Sequence, residues 1–566
     1  MNRIILLSPE ISQKIAAGEV IERPFSVVKE LVENSLDAEA SEVKVELSAG
    51  GKRFIKVTDN GQGMSREDAL LCFERHSTSK ISKEGDLSQI ATLGFRGEAL
   101  PSISAVSRLI LKTSEKKGEK GVLIEREGEK LVQASDIGFP TGTSIEVRDL
   151  FFNLPARRKF LRSEKSELSF IVKYLTWGCL AFPEVKFSLF HGEREVFNYP
   201  PVSSLKERIF QIYGKSILER LMEVNYRKEN MRIYGHVSSP PCGRSDRSHQ
   251  LFYVNKRPVR DKLLQAALNQ AYRGFLERDR FAEAFLFLLS PFSEVDVNVH
   301  PAKAEVRFKD SQTIFHLVQR GIKQAMLKSQ GIKEIYPAQE EERRIFQIKE
   351  TSRTAKLEMR EEEEAPVQEL FFSLAEEERI YPRALGQYLD TYIVASSEEG
   401  ILIIDQHNAH ERVLFEKYEE IDKKKKWPQK LALFPILFEL SPSQVLSLED
   451  NQTLLEEAGF RVEDMGGRSF SLKEFPDIFK EEEAKEIFLS LLEEIKKEGI
   501  EERKKKLLAT LACKTAIKAG ESLTFDKMNY LVEELFQTSN SSLCPHGRPI
   551  IVKIERQKIE RGLKRS

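Results

Sequence analysis

Residues 331–379 restrict this chain more than any other stretch. They are crowded with Glu, Lys and Arg, in blocks such as EEERR and EEEEAP. A segment of that kind cannot bury enough apolar surface to offset its chain entropy. The 566 residues must therefore fold as separate blocks on either side of a flexible linker. Before it, residues 1–203 and 204–330 each mix helical and strand patterns; after it, patterned sequence resumes and runs from 380 to 566. The sequence predicts an α+β multidomain protein: two N-terminal lobes, a linker and a C-terminal domain.

Charge limits the partners. Lys and Arg number 88 against 89 Asp and Glu, so affinity for phosphate has to come from local patches. Two are present. Arg157, Arg158, Lys159 and Arg162 cluster in ARRKFLR, and Arg257, Arg260 and Lys262 in NKRPVRDK. Both suit salt-sensitive, sequence-independent contact with a duplex DNA backbone; both also suit solvated loops. The five cysteines are scattered and lack disulfide spacing, which points to a reducing compartment. No apolar run reaches the roughly 20 residues of a membrane span. The N-terminus lacks a signal-peptide layout. The expected location is the cytoplasm, beside the nucleoid, with no membrane association.

In PFSVVKELVENSLDAEA (24–40), Val27, Val28, Leu31, Val32 and Leu36 recur at helical period, predicting a helix over 25–36. Glu30, Asn34 and Asp37 fall on the opposite arc. Alone, such a stripe reads as a solvated face. Strand-like RFIKVTDNGQGM follows, ending in Asp59, Gly61 and Gly63; then come LGFRGEAL (93–100) and GTS (142–144). Glycines let the backbone approach a phosphate, and N–H groups at a helix start hold anions. Each piece is common by itself, but the ordered set is not.

The order ELVENSLDA, DNGQGM, GFRGEAL, GTS resembles the ATP site shared by gyrase, Hsp90, histidine kinases and MutL, the GHKL group. IAAGEVIERPFSVVKELVENSLDA, ERHSTSKI and NLPARRKFLRSEKSE resemble the MutL mismatch-repair family in particular. The resemblance implies a GHKL-type ATPase α/β sandwich over 1–203 and an S5-like transducer lobe over 204–330. It casts Glu30 as general base toward the attacking water and Asn34 as an oxygen ligand for Mg²⁺. Asp59 would bind the adenine amino group, Gly61, Gly63 and Thr143 would floor the site, and Gly94, Phe95, Arg96 and Gly97 would form the lid. Lys303, in VDVNVHPAK, would reach the γ-phosphate from the second lobe. ATP then acts as a slow, clamp-closing signal that pairs two chains.

Past the linker, DQHNAHERVLFE (405–416) holds two of the nine histidines beside three carboxylates. Asn408 and Glu411 suit a capping box for a helix over 411–420, which would leave His407 incidental. ACK (512–514) and CPHGRP (544–549) favour a metal instead, since thiolate, imidazole and carboxylate together suit Zn²⁺ or Mn²⁺. The trio resembles the C-terminal motifs of nicking-competent MutL proteins. That resemblance implies a metal site of Asp405, His407, Glu411, Cys513, Cys544 and His546, and a dimerising α/β endonuclease domain with a regulatory insertion over about 432–505. Asp405, His407 and Glu411 would be catalytic, and Glu416 closes the family pattern. Asn408 departs from it, since the family has Ala there. Leu431, Leu433 and Phe434 resemble a sliding-clamp-binding peptide, although a strand core would claim the same residues.

The reading is a DNA mismatch-repair protein: an ATP-driven homodimeric clamp that nicks one DNA strand with a metal, with MutS and the sliding clamp as implied partners. A non-nucleolytic matchmaker with a structural metal is the alternative.

Overall fold

The computed structural model describes residues 20–75, 77–80, 92–94, 97–115, 120–244, 246–276, 280–296, 306–329, 381–425, 427–495, 499–518, 520–563 and 565. The proposed linker, Lys303, Phe95 and Arg96 lie outside them. The chain divides into two compact units, Met1–Ile332 with Glu419–Lys514, and Lys333–Tyr418 with Thr515–Ser566. Each is taken by itself.

In the first unit, strands β1 (Glu42–Ser48), β2 (Phe54–Asp59), β3 (Arg108–Ser114), β4 (Lys120–Glu127), β5 (Lys130–Gly138), β6 (Gly142–Arg148), β7 (Lys186–His191) and β8 (Arg194–Tyr199) form one sheet. Its order is β5-β4-β3-β6-β2-β1-β7-β8. Val43, Val45 and Leu47 of β1 and Ile55 and Val57 of β2 alternate into the core, the period-two pattern of a half-covered strand. Helices α1 (Pro24–Asp37) and α2 (Glu164–Ala181) supply Val27, Val28, Leu31, Val32, Ile171, Val172 and Leu175 to the same core. Pro24 opens α1 at its first turn, where a missing N–H costs nothing.

The second lobe is a five-stranded sheet, β12-β11-β13-β10-β9, built from β9 (Leu221–Lys228), β10 (Met231–Ser238), β11 (Gln250–Val254), β12 (Arg257–Val259) and β13 (Ala284–Leu289). Helices α3 (Lys262–Ala271) and α4 (Ser311–Ser329) pack on it, and a short pair, β14 (Val295–Asp296) and β15 (Arg307–Phe308), adjoins it. Residues 419–514 add a three-stranded sheet of β19 (Gln429–Glu439), β21 (Ser469–Pro476) and β20 (Arg461–Asp464). Phe438, Phe460, Phe470, Phe475 and Phe488 fill its core.

The second unit is an antiparallel sheet, β16-β17-β18-β22, of β16 (Arg383–Tyr388), β17 (Tyr392–Ser397), β18 (Gly400–Asp405) and β22 (Ile551–Glu555). Helices α5 (Gln406–Lys423) and α6 (Phe525–Gln537) cover one face, on which Ile393, Ala395, Leu402 and Ile404 pack against Val413, Leu531 and Leu535. The other face aligns Val394 with Ile403, Ile403 with Val552, and Ile401 with Ile554. Val552 is 59% exposed there. No described helix is long and apolar enough to cross a membrane.

Candidate functional sites

Asp59 ends β2 opposite Val43 and Thr143 in the neighbouring strands, so three backbones set its position. Its Oδ2 accepts from Ser35 Oγ at 2.7 Å and its Oδ1 from Gly61 N at 3.0 Å. Burial pushes its carboxyl up, while those two bonds and one from the Thr143 backbone pull it down. Ser35 thus locks α1 to the strand end beside Asn34. The glycines are steric necessities: a Cβ on Gly61 would meet Ala38 O at 2.7 Å, and one on Gly142 would meet Asp59 O at 2.1 Å.

Asp37, one turn beyond Asn34, fastens the segment expected to begin the lid. It accepts from Leu93 N at 2.8 Å and from Gly94 N at 2.9 Å. Lys80 Nζ bonds both Asp37 Oδ2, at 2.6 Å, and Asn34 Oδ1, at 2.8 Å. A cation therefore already faces the oxygen expected to meet Mg²⁺. Glu30 is half-buried on the same face of α1. Glu33 is a different case: it is 7% exposed and accepts from the Tyr174 hydroxyl at 3.4 Å. The sequence had singled out neither Ser35 nor Lys80. Ser35 was detectable as a small polar residue on the apolar arc, one turn after Leu31; the contact of Lys80 is long-range and left no local signal.

Among the basic residues, Arg158, Lys159, Arg162, Arg260 and Lys262 are exposed. Arg157 is half-buried and donates to Ile21 O at 3.1 Å. Arg257 departs from expectation. It is 7% exposed and its guanidinium reaches Thr92 O, so it is held inside the protein and cannot offer itself to DNA. Desolvation lowers its pKa, and Glu33 and Asp37 raise it.

In the C-terminal domain β18 runs straight into α5. The helix begins at Gln406, and Asp405 Oδ1 accepts from Asn408 N at 3.0 Å. Asp405 is therefore the cap, and the expected box of Asn408 with Glu411 does not form, because both lie inside the helix. The Asn408 amide instead donates to Pro549 O at 3.4 Å, tying α5 to the segment before β22. Glu411 is 1% exposed and faces His546 Nδ1 in a close pair. Donor atoms of Glu411, Cys544 and His546 all lie within 4.8 Å of one another. The turn that brings Cys544 and His546 together is closed by Gly547 N on Cys544 O at 2.8 Å.

Three other expected ligands are not members of this trio. Asp405 caps the helix, His407 Nδ1 bonds Ile517 O at 2.9 Å, and Cys513 belongs to the other unit. Glu416 accepts from Ser539 Oγ at 2.8 Å and from its backbone N–H. Carboxylate, thiol and imidazole converging, with Glu411 and Cys544 buried and His546 exposed, fit a borderline metal such as Zn²⁺. His410 accepts from Ile517 N at 2.9 Å, and burial first, then Lys417 and His407, push its pKa down to about 4.

Leu431, Leu433 and Phe434 are not core residues. They are 71, 84 and 80% exposed, because β19 leaves its ladder between Leu431 and Ile436.

Comparison with known proteins gives family matches along the chain. Residues 21–144 match the histidine kinase-, DNA gyrase B- and HSP90-like ATPase model. Residues 209–327 match the DNA mismatch repair protein C-terminal domain, and residues 385–523 the MutL C terminal dimerisation domain. The DNA mismatch repair protein MutL of Koribacter versatilis is 36% identical over 646 residues, with 100% of both chains covered. That of Caldanaerobacter subterraneus subsp. tengcongensis is 37% identical over 597 residues, again with 100% of both. The chain belongs to the MutL family of DNA mismatch-repair proteins. Among solved structures it is similar to the Aquifex aeolicus MutL ATPase domain complexed with ADP, at 31% identity and TM-score 0.38, covering 53% of this chain and 98% of that one. As a MutL-family protein it carries a GHKL-type ATPase domain and the family's C-terminal dimerisation domain.

Proposed function

We propose that this MutL-family chain is an ATP-driven homodimeric clamp that binds duplex DNA and nicks one strand. The observation that carries the nicking is the convergence of Glu411, Cys544 and His546 within 4.8 Å at the base of the helix that Asp405 caps. The proposal takes as its domain limits an ATPase lobe over 1–203, a transducer over 204–330, a linker over 331–379 and a C-terminal domain over 380–566 bearing an insertion. In the ATPase lobe, Asp59 selects adenine, Asn34 offers its oxygen to Mg²⁺, and Glu30 takes the proton of the attacking water. Gly94 and Gly97 lie along the phosphates, and Lys303 closes the site from the second lobe.

In the C-terminal domain Glu411, Cys544 and His546 would hold Zn²⁺ or Mn²⁺, which would supply Lewis acidity toward a phosphodiester. Asp405 caps the helix that bears Glu411, and in this reading its carboxylate is the one that meets the scissile phosphate. Its test is nicking of supercoiled plasmid with Mn²⁺. Asp405→Asn should keep the helix cap, since Asn caps as well as Asp, and lose at least roughly 10- to 100-fold in nicked circles, the loss typical of groups that orient a metal site. Absence of nicking by the wild type would replace this reading with the matchmaker, its metal purely structural; equal nicking by wild type and variant would take the cutting away from Asp405.

Partners follow from surfaces. Exposed Leu433 and Phe434 suit the apolar groove of a sliding clamp, and MutS is the expected mismatch sensor. Leu433→Ala with Phe434→Ala should change stability by less than about 0.5 kcal/mol, as for exposed positions generally. Clamp capture in a pull-down should drop at least tenfold; unchanged capture would exclude this peptide. The apolar sheet face around Ile403 and Val552 suits the second copy. Val552→Glu would bury a charge in that contact, so sedimentation should find monomers where the wild type gives dimers. A dimeric Val552→Glu would move the interface elsewhere.

A further inference from the structure

Residues 419–514 belong to the same compact unit as the two N-terminal lobes, and they meet both of them. On the first lobe, Lys165 pairs with Asp450 and Arg194 with Glu449, each at 2.6 Å. Leu446 packs against the core that fills that lobe. On the second lobe, Arg280 pairs with Glu486 at 2.7 Å, and Arg244 faces Glu493 in a close pair. Each of these pairs sets a cation of the lobes against an acid of the insertion. The first three are partly exposed, so each is weak and screened by salt. The last is stronger. Glu493 is 9% exposed and also accepts from Gln444 Nε2 at 2.9 Å, and Arg244 shares its guanidinium with buried Glu283.

The centre of the contact is of another kind. Helix Leu205–Tyr213 follows β8, the last strand of the first sheet, and precedes β9, which opens the second. It is therefore the joint between the lobes. Arg208 ties it to Pro183 O and Val185 O of the first lobe, at 2.6 and 2.7 Å. Its last turn leaves carbonyls without helical partners. Arg468, in the glycine turn between β20 and β21, donates to Ile212 O at 2.9 Å, to Gln211 O and to the Tyr199 hydroxyl at 3.3 Å. A cation at a helix C-terminus gains from the charged hydrogen bonds and from the helix dipole. The packing is close as well: a Cβ on Gly214, just past the helix, would meet Glu439 Oε2 at 2.5 Å.

We propose that the insertion is a brace across the joint between the two lobes: docked, it holds them at one angle and restrains ATP turnover. Its two ends rest on different lobes and its centre grips the helix that joins them. The lobes cannot turn about that helix with all three contacts kept. Turnover enters because Lys303 is proposed to reach the γ-phosphate from the second lobe, and this part of the inference rests on that reading. The docking does not.

Arg468→Gln removes the cation and keeps a side chain that fits the turn. In the full-length protein, amide exchange over residues 209–214 should quicken at least about tenfold, the loss of one hydrogen bond to a charged group. ATP turnover should rise at least about fivefold, the lower end of the usual coupling between sites. Arg194→Glu, on the exposed rim, should move both quantities the same way. Adding Glu449→Arg to it should restore the parent values, which no general folding defect would allow. Unchanged exchange in Arg468→Gln overturns the docking, and faster exchange with unchanged turnover overturns the restraint. Equal turnover by Lys303→Ala and its parent would defeat the Lys303 reading alone, because exchange and the charge swap would still decide the brace.

Discussion

Glu30→Ala is expected to reduce ATP turnover by about 10²- to 10⁴-fold, the usual contribution of a positioned general base, while leaving nucleotide binding intact. Two acids lie close together on α1, and they differ in burial and in partners. Glu33 is buried and accepts from Tyr174, with Lys29 at 3.9 Å; it is fastened to its own lobe. Glu30 sits one turn before Asn34 on the half-buried face and is the proposed base. Phosphate release and equilibrium nucleotide binding, measured together, check the claim. Glu33→Gln should lower thermal stability instead, since it weakens a buried pair. If Glu30→Ala hydrolysed ATP at the parent rate, the assignment of the base would fail.

Cys544→Ser is expected to strip the C-terminal domain of bound metal. The thiol is 2% exposed and sits in a turn held by Cys544 N on Arg548 O at 2.9 Å, so serine fits without disturbing the backbone. A hydroxyl is a far poorer ligand than a thiolate for a borderline metal. Metal content of the dialysed protein, read by elemental mass spectrometry, should fall from stoichiometric to trace. Glu411→Gln should weaken binding by at least about 10- to 100-fold and leave a neutral amide of the same shape. If Cys544→Ser retained full metal, the ion would sit on other residues.

Much of the N-terminal architecture was legible because it is periodic. The apolar positions of α1, the alternation in β1 and β2 and the glycine turn after Asp59 are local signals, and the observed helix Pro24–Asp37 extends the expected 25–36 by a residue at each end. What escaped were contacts between distant segments: the Ser35 clasp on Asp59, the bridge from Lys80 to Asn34 and the burial of Arg257. A lone arginine on a short strand looks solvent-facing, and only the tertiary fold wraps it. The exposure of Leu433 and Phe434 escaped for the opposite reason. Alternation marks a strand, but it does not show where that strand departs from its ladder. In the C-terminal site the residue types were readable, while their grouping was not, since which donors converge depends on a helix start that the sequence placed at 411 and the fold places at 406.

The long excursion through residues 419–514 leaves and re-enters the second unit at neighbouring points, because the Tyr418 and Thr515 hydroxyls are 2.8 Å apart. For the unit that hosts it, the excursion is a loop with pinned ends. Closing such a loop costs only about 0.6 kcal/mol more for each doubling of its length. Evolution can therefore shorten, lengthen or exchange this module at almost no thermodynamic penalty to the host, and the lineage is free to rewrite one while keeping the other.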